Sequence, residues 1–342
     1  MPDKAKVLLD PHFRKMTEIF SAADLERLHA TADVVWGRDE PMPAEDARRE
    51  LSEATAVVCS EWRYGPLPDE TPHLRAVISV SGAFPNALDY QACRARGIRV
   101  LSAAPAFGRQ VAEMALGLAL ASCREIAAGD AAMRAGDERW LHAGNATTFM
   151  LYDQPVGFIG YGALARSLQP LLAPFGVRIR AYDPWLADGF LRRQGVEPVS
   201  LTELLEASRF VFVLAAPSSE NRALLSRDLL ERVRPDAVVV LVSRAHVVDF
   251  DALTELVLAG RFRAAIDVFP DEPLAPDHPI RRARGAVLSA HRAGSVREGM
   301  WDIGEMVVDD LEAIAAGLPP RRLLAAEPEL VGRVVSGQGT KR

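Results

Sequence analysis

Cysteine is scarce in this chain. Cys59, Cys93 and Cys123 are the only three, with no metal-ligand spacing between them and no even set to pair. That excludes a disulfide-stapled scaffold and fits a reducing compartment, the cytoplasm. No metal site is expected. No apolar run approaches the ~20 residues that a membrane-spanning helix needs. Asp3, Lys4, Lys6 and Asp10 interrupt the N-terminus, so the apolar core of a signal peptide is missing. Positive charge is not in excess: the net charge of −6 removes the electrostatic case for nucleic acid or an anionic membrane as partner. The basic piece at residues 281–284 is short enough to be a solvated face. There is no low-complexity tract and no repeat beyond two α/β halves.

What is present points to two domains. The chain has 342 residues, long for one core. Its centre is residues 155–165, Pro-Val-Gly-Phe-Ile-Gly-Tyr-Gly-Ala-Leu-Ala. Val156, Phe158 and Ile159 read as a short buried strand, Gly160 to Gly162 as a turn, and residues 163–172 as a helix by their apolar spacing. Gly160 lets the backbone turn tightly, Gly162 leaves room for a pyrophosphate, and Ala165 is small where a helix packs on a strand. The helix N-terminus offers free N–H groups and a positive dipole end to phosphate. A glycine trio alone is weak evidence. Here a strand precedes it, a helix follows, and a second strand (residues 177–183) ends in an acid 21 positions after Gly162 (183 − 162). Asp183 there would accept hydrogen bonds from ribose hydroxyls and repel a 2′-phosphate, which favours NAD over NADP.

The remaining elements alternate. Strands are expected at residues 6–10, 54–59, 75–80 and 97–101, with a helix capped by Ser21 and another at 87–96. None of these strands carries a phosphate-binding glycine turn. A strongly apolar helix follows at 110–126, expected to be buried between domains or subunits, then an aperiodic arm or loop at 129–150. The second series has strands at 156–160, 177–183, 210–215, 237–242, 263–267 and 286–289, with a capping-box pattern from Ser200 to Glu203. The expected fold is α/β: two Rossmann-like, doubly wound parallel-sheet domains, the larger one binding NAD. Residues 1–108 form the substrate domain, flavodoxin-like in type, and 109–298 the NAD-binding domain. Residues 299–342 form a C-terminal helix returning to the substrate domain plus a tail, polar and disordered from 336.

A doubly wound sheet binds ligands at the carboxyl ends of its strands. Arg244, Glu272 and His291 each fall at or just past such an end. An Arg, an acid and a His at one rim suit the reduction of a 2-oxo acid. The guanidinium grips a carboxylate with two hydrogen bonds, the imidazolium protonates the carbonyl oxygen, and the acid orients the imidazole and favours its charged form.

With these residues in place the chain resembles the D-isomer-specific 2-hydroxyacid dehydrogenases, a family that includes phosphoglycerate, glyoxylate/hydroxypyruvate, D-lactate and formate dehydrogenases. The likeness runs over about residues 54–318 and rests on motifs in order: Val111-Ala-Glu113, the loop at 157–165, Tyr182-Asp-Pro184, Ser243-Arg244 with Val248-Asp249 and Ala252-Leu253, Asp267-Val-Phe with Glu272-Pro-Leu274, and His291 with Ala293-Gly294. The resemblance implies that Arg244, Glu272 and His291 are catalytic. It implies that NAD is held by Gly160, Tyr161, Gly162, Ala163, Leu164, Asp183, Pro184, Ala215, Ala216, Pro217, Val242, Ser243, Arg244, Asp267, His291 and Gly294, with Asp267 on the nicotinamide amide. Substrate contacts fall on Ser81, Gly82, Ala83, Arg244 and His291, the first three through backbone N–H groups. The partner is then a small 2-oxo or 2-hydroxy acid, with a homodimer as assembly.

Departures from the family pattern bear on substrate. Ala245, then His246, stands where the family has glycine after its Arg, Arg292 follows the His, and Phe84-Pro85 is unusual in the substrate loop. Where phosphoglycerate dehydrogenases carry an Arg-Ser pair for phosphate, this chain has Cys59-Ser60, although Arg63 could reach in from the next turn. Trp62 and Arg63 read equally as substrate wall or ordinary surface. A rival reading from another class is a dinucleotide-sensing protein, since the same scaffold serves as a transcriptional corepressor in animals. Turnover with any 2-oxo acid separates the two.

Asp183 carries the first prediction. NADH is expected to give a higher kcat/KM than NADPH, by a margin worth at least a few kcal/mol. Asp183→Ala is expected to narrow that margin mainly by weakening NADH; steady-state rates with both cofactors measure it.

Overall fold

The computed structural model describes residues 4–85, 87–218, 220–327 and 331. The polar tail expected from residue 336 lies outside them, as does Asn86 at the end of the substrate loop. The chain divides into two compact units. One comprises the chain up to Phe107 and again from Gly294; the other is Gly108–Ala293.

The first unit is built on a six-stranded sheet. Its strands are β1 (Ala5–Asp10), β2 (Ala32–Trp36), β3 (Ala56–Cys59), β4 (Ala76–Ser79), β5 (Arg99–Ser102) and, far along the chain, β13 (Leu324–Ala325). The order is β13-β5-β4-β3-β1-β2, parallel except for the antiparallel edge strand β13. Setting β13 aside, this is the flavodoxin-like order 2-1-3-4-5. β3 and β4 are buried along their whole length, as parallel strands covered on both faces must be. Ser21 caps the helix Ala22–Thr31 by accepting from the Asp24 N–H.

Helix Arg297–Ala315 completes this unit's core with Met300, Ile303, Val307, Val308 and Leu311. Gly304 lets it approach closely, since a Cβ there would lie 2.2 Å from the Ile19 carbonyl oxygen. Arg27 ties the helix to Ala22–Thr31 through Asp309 and Glu312 at 2.7 and 2.8 Å. The buried carboxylate of Asp310 accepts the backbone N–H groups of Arg321, Arg322 and Leu323 at 2.8–3.1 Å and so aims the chain into β13.

The second unit holds a seven-stranded, wholly parallel sheet: β6 (Pro155–Ile159), β7 (Arg178–Tyr182), β8 (Glu197–Pro198), β9 (Phe210–Val213), β10 (Val238–Leu241), β11 (Arg263–Ile266) and β12 (Ala286–Leu288). Its order is β12-β11-β10-β9-β6-β7-β8. Numbered within the unit this is 3-2-1-4-5-6-7, the dinucleotide-binding order with one strand added. The direction of winding reverses between β6 and β9.

Three short or edge strands, β2, β8 and β13, were not expected from the sequence. β2 follows its helix without a turn signal and is only half buried. The other two have two residues each, too few for any periodicity.

The expected helix at 110–126 is two elements: a helix Gly108–Cys123, then a break at Glu125 with φ 53° and a second helix Ile126–Ala135 that runs into the supposed aperiodic arm. Gly108–Cys123 packs on helix Ala163–Leu172 and on its own sheet, burying Ala112, Ala115 and Ala119, while Glu113 and Gly117 are exposed. Ile126–Ala135 buries none of its residues. The base of the arm is pinned. Arg263 donates to Glu125 Oε1 at 2.6 Å and to the Thr147 carbonyl at 2.7 Å, and the Arg209 guanidinium lies 3.9 Å from the centre of the Phe149 ring.

Candidate active site

Parallel strands deliver every site residue of the second unit to one edge. Gly160–Gly162 follow β6, Asp183 follows β7, Ala215–Pro217 lie past β9, Val242–Arg244 follow β10, Asp267–Glu272 follow β11 and His291 lies past β12. The reversal between β6 and β9 opens the crevice in which such sheets bind ligands.

The nucleotide loop lies at that reversal. Gly160 has φ 88°, and a Cβ there would come within 2.7 Å of the Ala215 Cα, so two carboxyl ends meet where only glycine fits. Gly162 faces open space and begins helix Ala163–Leu172 with no side-chain cap, leaving the first N–H groups for a ligand. Asp183 Oδ2 accepts the Tyr161 N–H at 2.8 Å and Oδ1 the Trp185 N–H at 2.9 Å, which fixes the acid beside the loop. The hydroxyls of Ser218 and Ser243 are buried and have no hydrogen-bond partner among the described residues. Open space beside an uncapped helix and two unspent hydroxyls along the same rim fit a dinucleotide. Ser218 was not a sequence candidate; its place directly after Pro217 was the available signal.

The three ionisable residues come together on this rim. His291 Nδ1 lies 2.5 Å from Glu272 Oε2, and Glu272 Oε1 accepts the Phe269 N–H at 2.9 Å. Burial acts to raise the Glu272 pKa, but the hydrogen bonds from His291 and Phe269 and the charges of His291 and Arg244 outweigh it, so the carboxyl lies below its usual value. A carboxylate only accepts, so the His291 Nδ1 carries a proton and Nε2 is left for the reacting group. Arg244 donates from Nη1 to the Ser243 carbonyl at 2.8 Å. Although the residue is exposed, surrounding protein pulls its pKa down, against the charges of Glu272 and Asp267. A guanidinium keeps its proton throughout.

His291 has φ 49°, a left-handed conformation costing roughly 1–2 kcal/mol in a non-glycine residue. Asp267 meets that cost with three contacts. Its carbonyl accepts the His291 N–H at 2.8 Å, and its carboxylate oxygens accept the N–H groups of Arg292 and Ala293, each at 3.0 Å.

The chain matches, over residues 116–293, the family described as "D-isomer specific 2-hydroxyacid dehydrogenase, NAD binding domain". The chain belongs to the D-isomer specific 2-hydroxyacid dehydrogenase family. Among its relatives is a glyoxylate reductase of Korarchaeum cryptofilum, 30% identical over 263 residues that make up 76% of this chain and 78% of that protein. A D-3-phosphoglycerate dehydrogenase of Mycobacterium leprae is 31% identical over 72% of this chain, but the match spans 46% of that longer protein. A crystal structure of a phosphoglycerate oxidoreductase from Rhizobium etli is 36% identical, with a TM-score of 0.83 over 95% of this chain and 99% of that one. As a D-2-hydroxyacid dehydrogenase, the protein is an NAD-dependent oxidoreductase that moves a hydride between nicotinamide and C2 of a 2-oxo or 2-hydroxy acid. Among the described residues no helix is long and apolar enough to cross a membrane, and no cluster of metal-ligating side chains occurs.

Other candidates of this dehydrogenase have structural partners. The His246 ring lies 2.9 Å from the Ser218 carbonyl, a tie between two rim loops. Trp62 is buried and donates to the Gly65 carbonyl at 2.6 Å, and Phe84 is buried in the first unit's core. Both belong to packing. Arg63 pairs with the buried Asp10, which also accepts from the Tyr64 hydroxyl at 2.6 Å. In the substrate loop Gly82 has φ 82° and a Cβ there would strike the Phe107 ring at 2.7 Å. The N–H groups of Ser81 and Ala83 point at the Ser79 and Ser81 hydroxyls, at 3.3 and 3.4 Å. Gly294 is the first residue after the second unit ends. Arg292 is exposed.

The depressed Glu272 pKa has a signed consequence for stability. Its contribution is complete above the ordinary value of 4.5 and is lost as pH falls through the lower folded value. The melting temperature of the wild type minus that of Glu272→Gln is expected to shrink as pH falls below 4.5, where the carboxylate takes up its proton. A thermal melt series through that acid range measures it; a difference that grew there would contradict it.

Proposed function

We propose that this dehydrogenase reduces a small, unphosphorylated 2-oxo acid of the glyoxylate or hydroxypyruvate type, with Arg244 as carboxylate anchor, His291 as proton donor and Glu272 as the group that orients it. The observation that carries the reading is the 2.5 Å contact of His291 with Glu272 on the same strand-end rim as Arg244. NAD bound there supplies the hydride donor and acceptor. Gly160–Leu164 would hold its phosphates and Asp183 with Pro184 its ribose, while residues 215–217, Val242 and Ser243 would line its path. Arg244 pairs with the substrate carboxylate through charge-assisted hydrogen bonds. Glu272 keeps the proton on His291 Nδ1, so Nε2 gives its proton to the forming alkoxide in reduction and takes it back in oxidation. In the first unit the backbone of Ser81, Gly82 and Ala83 is the substrate contact we propose; the Ser81 and Ala83 N–H groups would have to turn from the Ser79 and Ser81 hydroxyls to serve it.

The choice against a phosphorylated substrate rests on what the first unit has already spent. Ser60 donates its hydroxyl to the Pro11 carbonyl at 2.5 Å, Cys59 is wholly buried with its pKa pushed up to about 12 by desolvation, and Arg63 is held by Asp10. The relatives' names divide between glyoxylate and phosphoglycerate enzymes. The assembly we propose is a homodimer, working in the cytoplasm. Along the arm and just beyond it Ile126 (58%), Met133 (55%), Trp140 (68%), Leu141 (85%), Met150 (62%) and Tyr152 (54%) are exposed, a concentration that a second copy of the same surface would cover.

A panel of glyoxylate, hydroxypyruvate and phosphohydroxypyruvate followed by NADH absorbance is expected to give the highest kcat/KM with one of the first two. Reduction needs the imidazolium and oxidation the neutral ring, so reduction is expected to fall and oxidation to rise with pH. His291→Ala is expected to lower kcat by roughly two to four powers of ten with NADH affinity kept, whereas Arg244→Ala damages both KM and kcat. For assembly, light scattering at micromolar protein is expected to give the dimer mass, and Leu141→Glu to shift it towards the monomer.

A further inference from the structure

Of the groups that touch the catalytic trio, Asp267 is the most completely buried, with no exposed surface at all. A carboxylate so placed must find donors for both oxygens, and here each oxygen is met by one backbone N–H of the segment directly after His291. Its own N–H donates to the Leu241 carbonyl at 3.0 Å, which fixes Asp267 to the neighbouring strand β10, just before Arg244. The left-handed backbone of His291 is therefore held on its N–H side by the Asp267 carbonyl and on its C-terminal side by the Asp267 carboxylate. Nothing else among the described residues bonds to the backbone N–H groups of residues 291–293.

We infer that Asp267 is a positioning residue for the proton donor: by gripping the backbone of Arg292 and Ala293 it holds His291 in the conformation that brings its ring to Glu272. This rests on the proposed role of His291 and adds a task for Asp267 that a contact with the nicotinamide amide would not supply. The negative charge matters to the grip. Asparagine is of the same size, but it offers one oxygen and one NH2 group, so one of the two backbone N–H groups would face another donor. A misplacement of about 1 Å in a reacting group costs on the order of 10²-fold in rate.

The test is a double-mutant cycle on the full-length enzyme with NADH and its best 2-oxo acid, folding being checked by circular dichroism. Asp267→Asn is expected to lower kcat on the order of 10²-fold, with the NADH dissociation constant, from fluorescence titration, and KM changed by less than about threefold. In the His291→Ala background the same substitution is expected to cost less than about twofold, because the group it positions is gone. Equal losses in both backgrounds, or a loss confined to NADH affinity, would overturn the positioning role and leave the role of His291 standing. Near-normal kcat for His291→Ala alone would instead overturn the proton-donor reading. Hydrogen exchange on the wild type needs no variant. Without cofactor the Arg292 and Ala293 amides are expected to be protected as strongly as those of β11, and exchange at open-loop rates would overturn the grip.

Discussion

A parallel sheet leaves all its carboxyl ends on one edge, and in the second unit everything chemical depends on that constraint. Six strands from distant parts of the chain finish side by side. Each hands over one or a few residues: a glycine turn, the acid Asp183, a small-residue loop, an arginine, an acid pair, a histidine. The reversal of winding between β6 and β9 then prevents a crossing helix from covering the middle of the edge. Gly160 marks how close the two ends come, since the Ala215 backbone occupies the place of a side chain.

The rim divides into the glycine loop with Asp183 and the cluster of Arg244, Glu272 and His291, and they differ in what fixes them. The nucleotide loop is held by backbone geometry and by Asp183, whose oxygens both accept loop N–H groups. The cluster of Arg244, Glu272 and His291 is held by charge. Glu272 stays ionised despite its burial because His291, Phe269 and Arg244 favour the anion. Removing one member leaves another unpaired, which is why such groups act as a unit.

Much of this was legible in the sequence because the signals were local. The helix expected at 163–172 is the observed Ala163–Leu172, since the glycine turn before it sets its start. Arg244, Glu272 and His291 could be placed on one rim because each follows a recognisable apolar strand. The hidden features depend on surroundings that no window of residues contains. Trp62 and Phe84 read as wall or oddity until the fold shows them buried. Two-residue strands carry no pattern. The helix Ile126–Ala135 was masked by Gly129 and Asp130 and by its lack of a buried face. The grip of Asp267 on residues 292 and 293 uses main-chain donors, which every residue but proline has, so nothing in the side chains announces it.

The chain leaves the first unit at Phe107 and returns at Gly294, so the nucleotide-binding unit is an insertion within the first one. During synthesis the inserted unit is therefore complete before the unit that surrounds it in sequence. Until helix Arg297–Ala315 emerges, the cluster that holds Ile19, Phe20, Val58 and Ile78 lacks Met300, Val307 and Leu311, which later complete it. The growing chain must keep that incomplete apolar cluster from other partners for the time it takes to make the 186 residues of Gly108–Ala293 (293 − 107 = 186). A nascent chain halted just short of the last helix would thus carry a finished cofactor site joined to a sticky, half-built neighbour, a liability set by the order of the segments and not by any single contact.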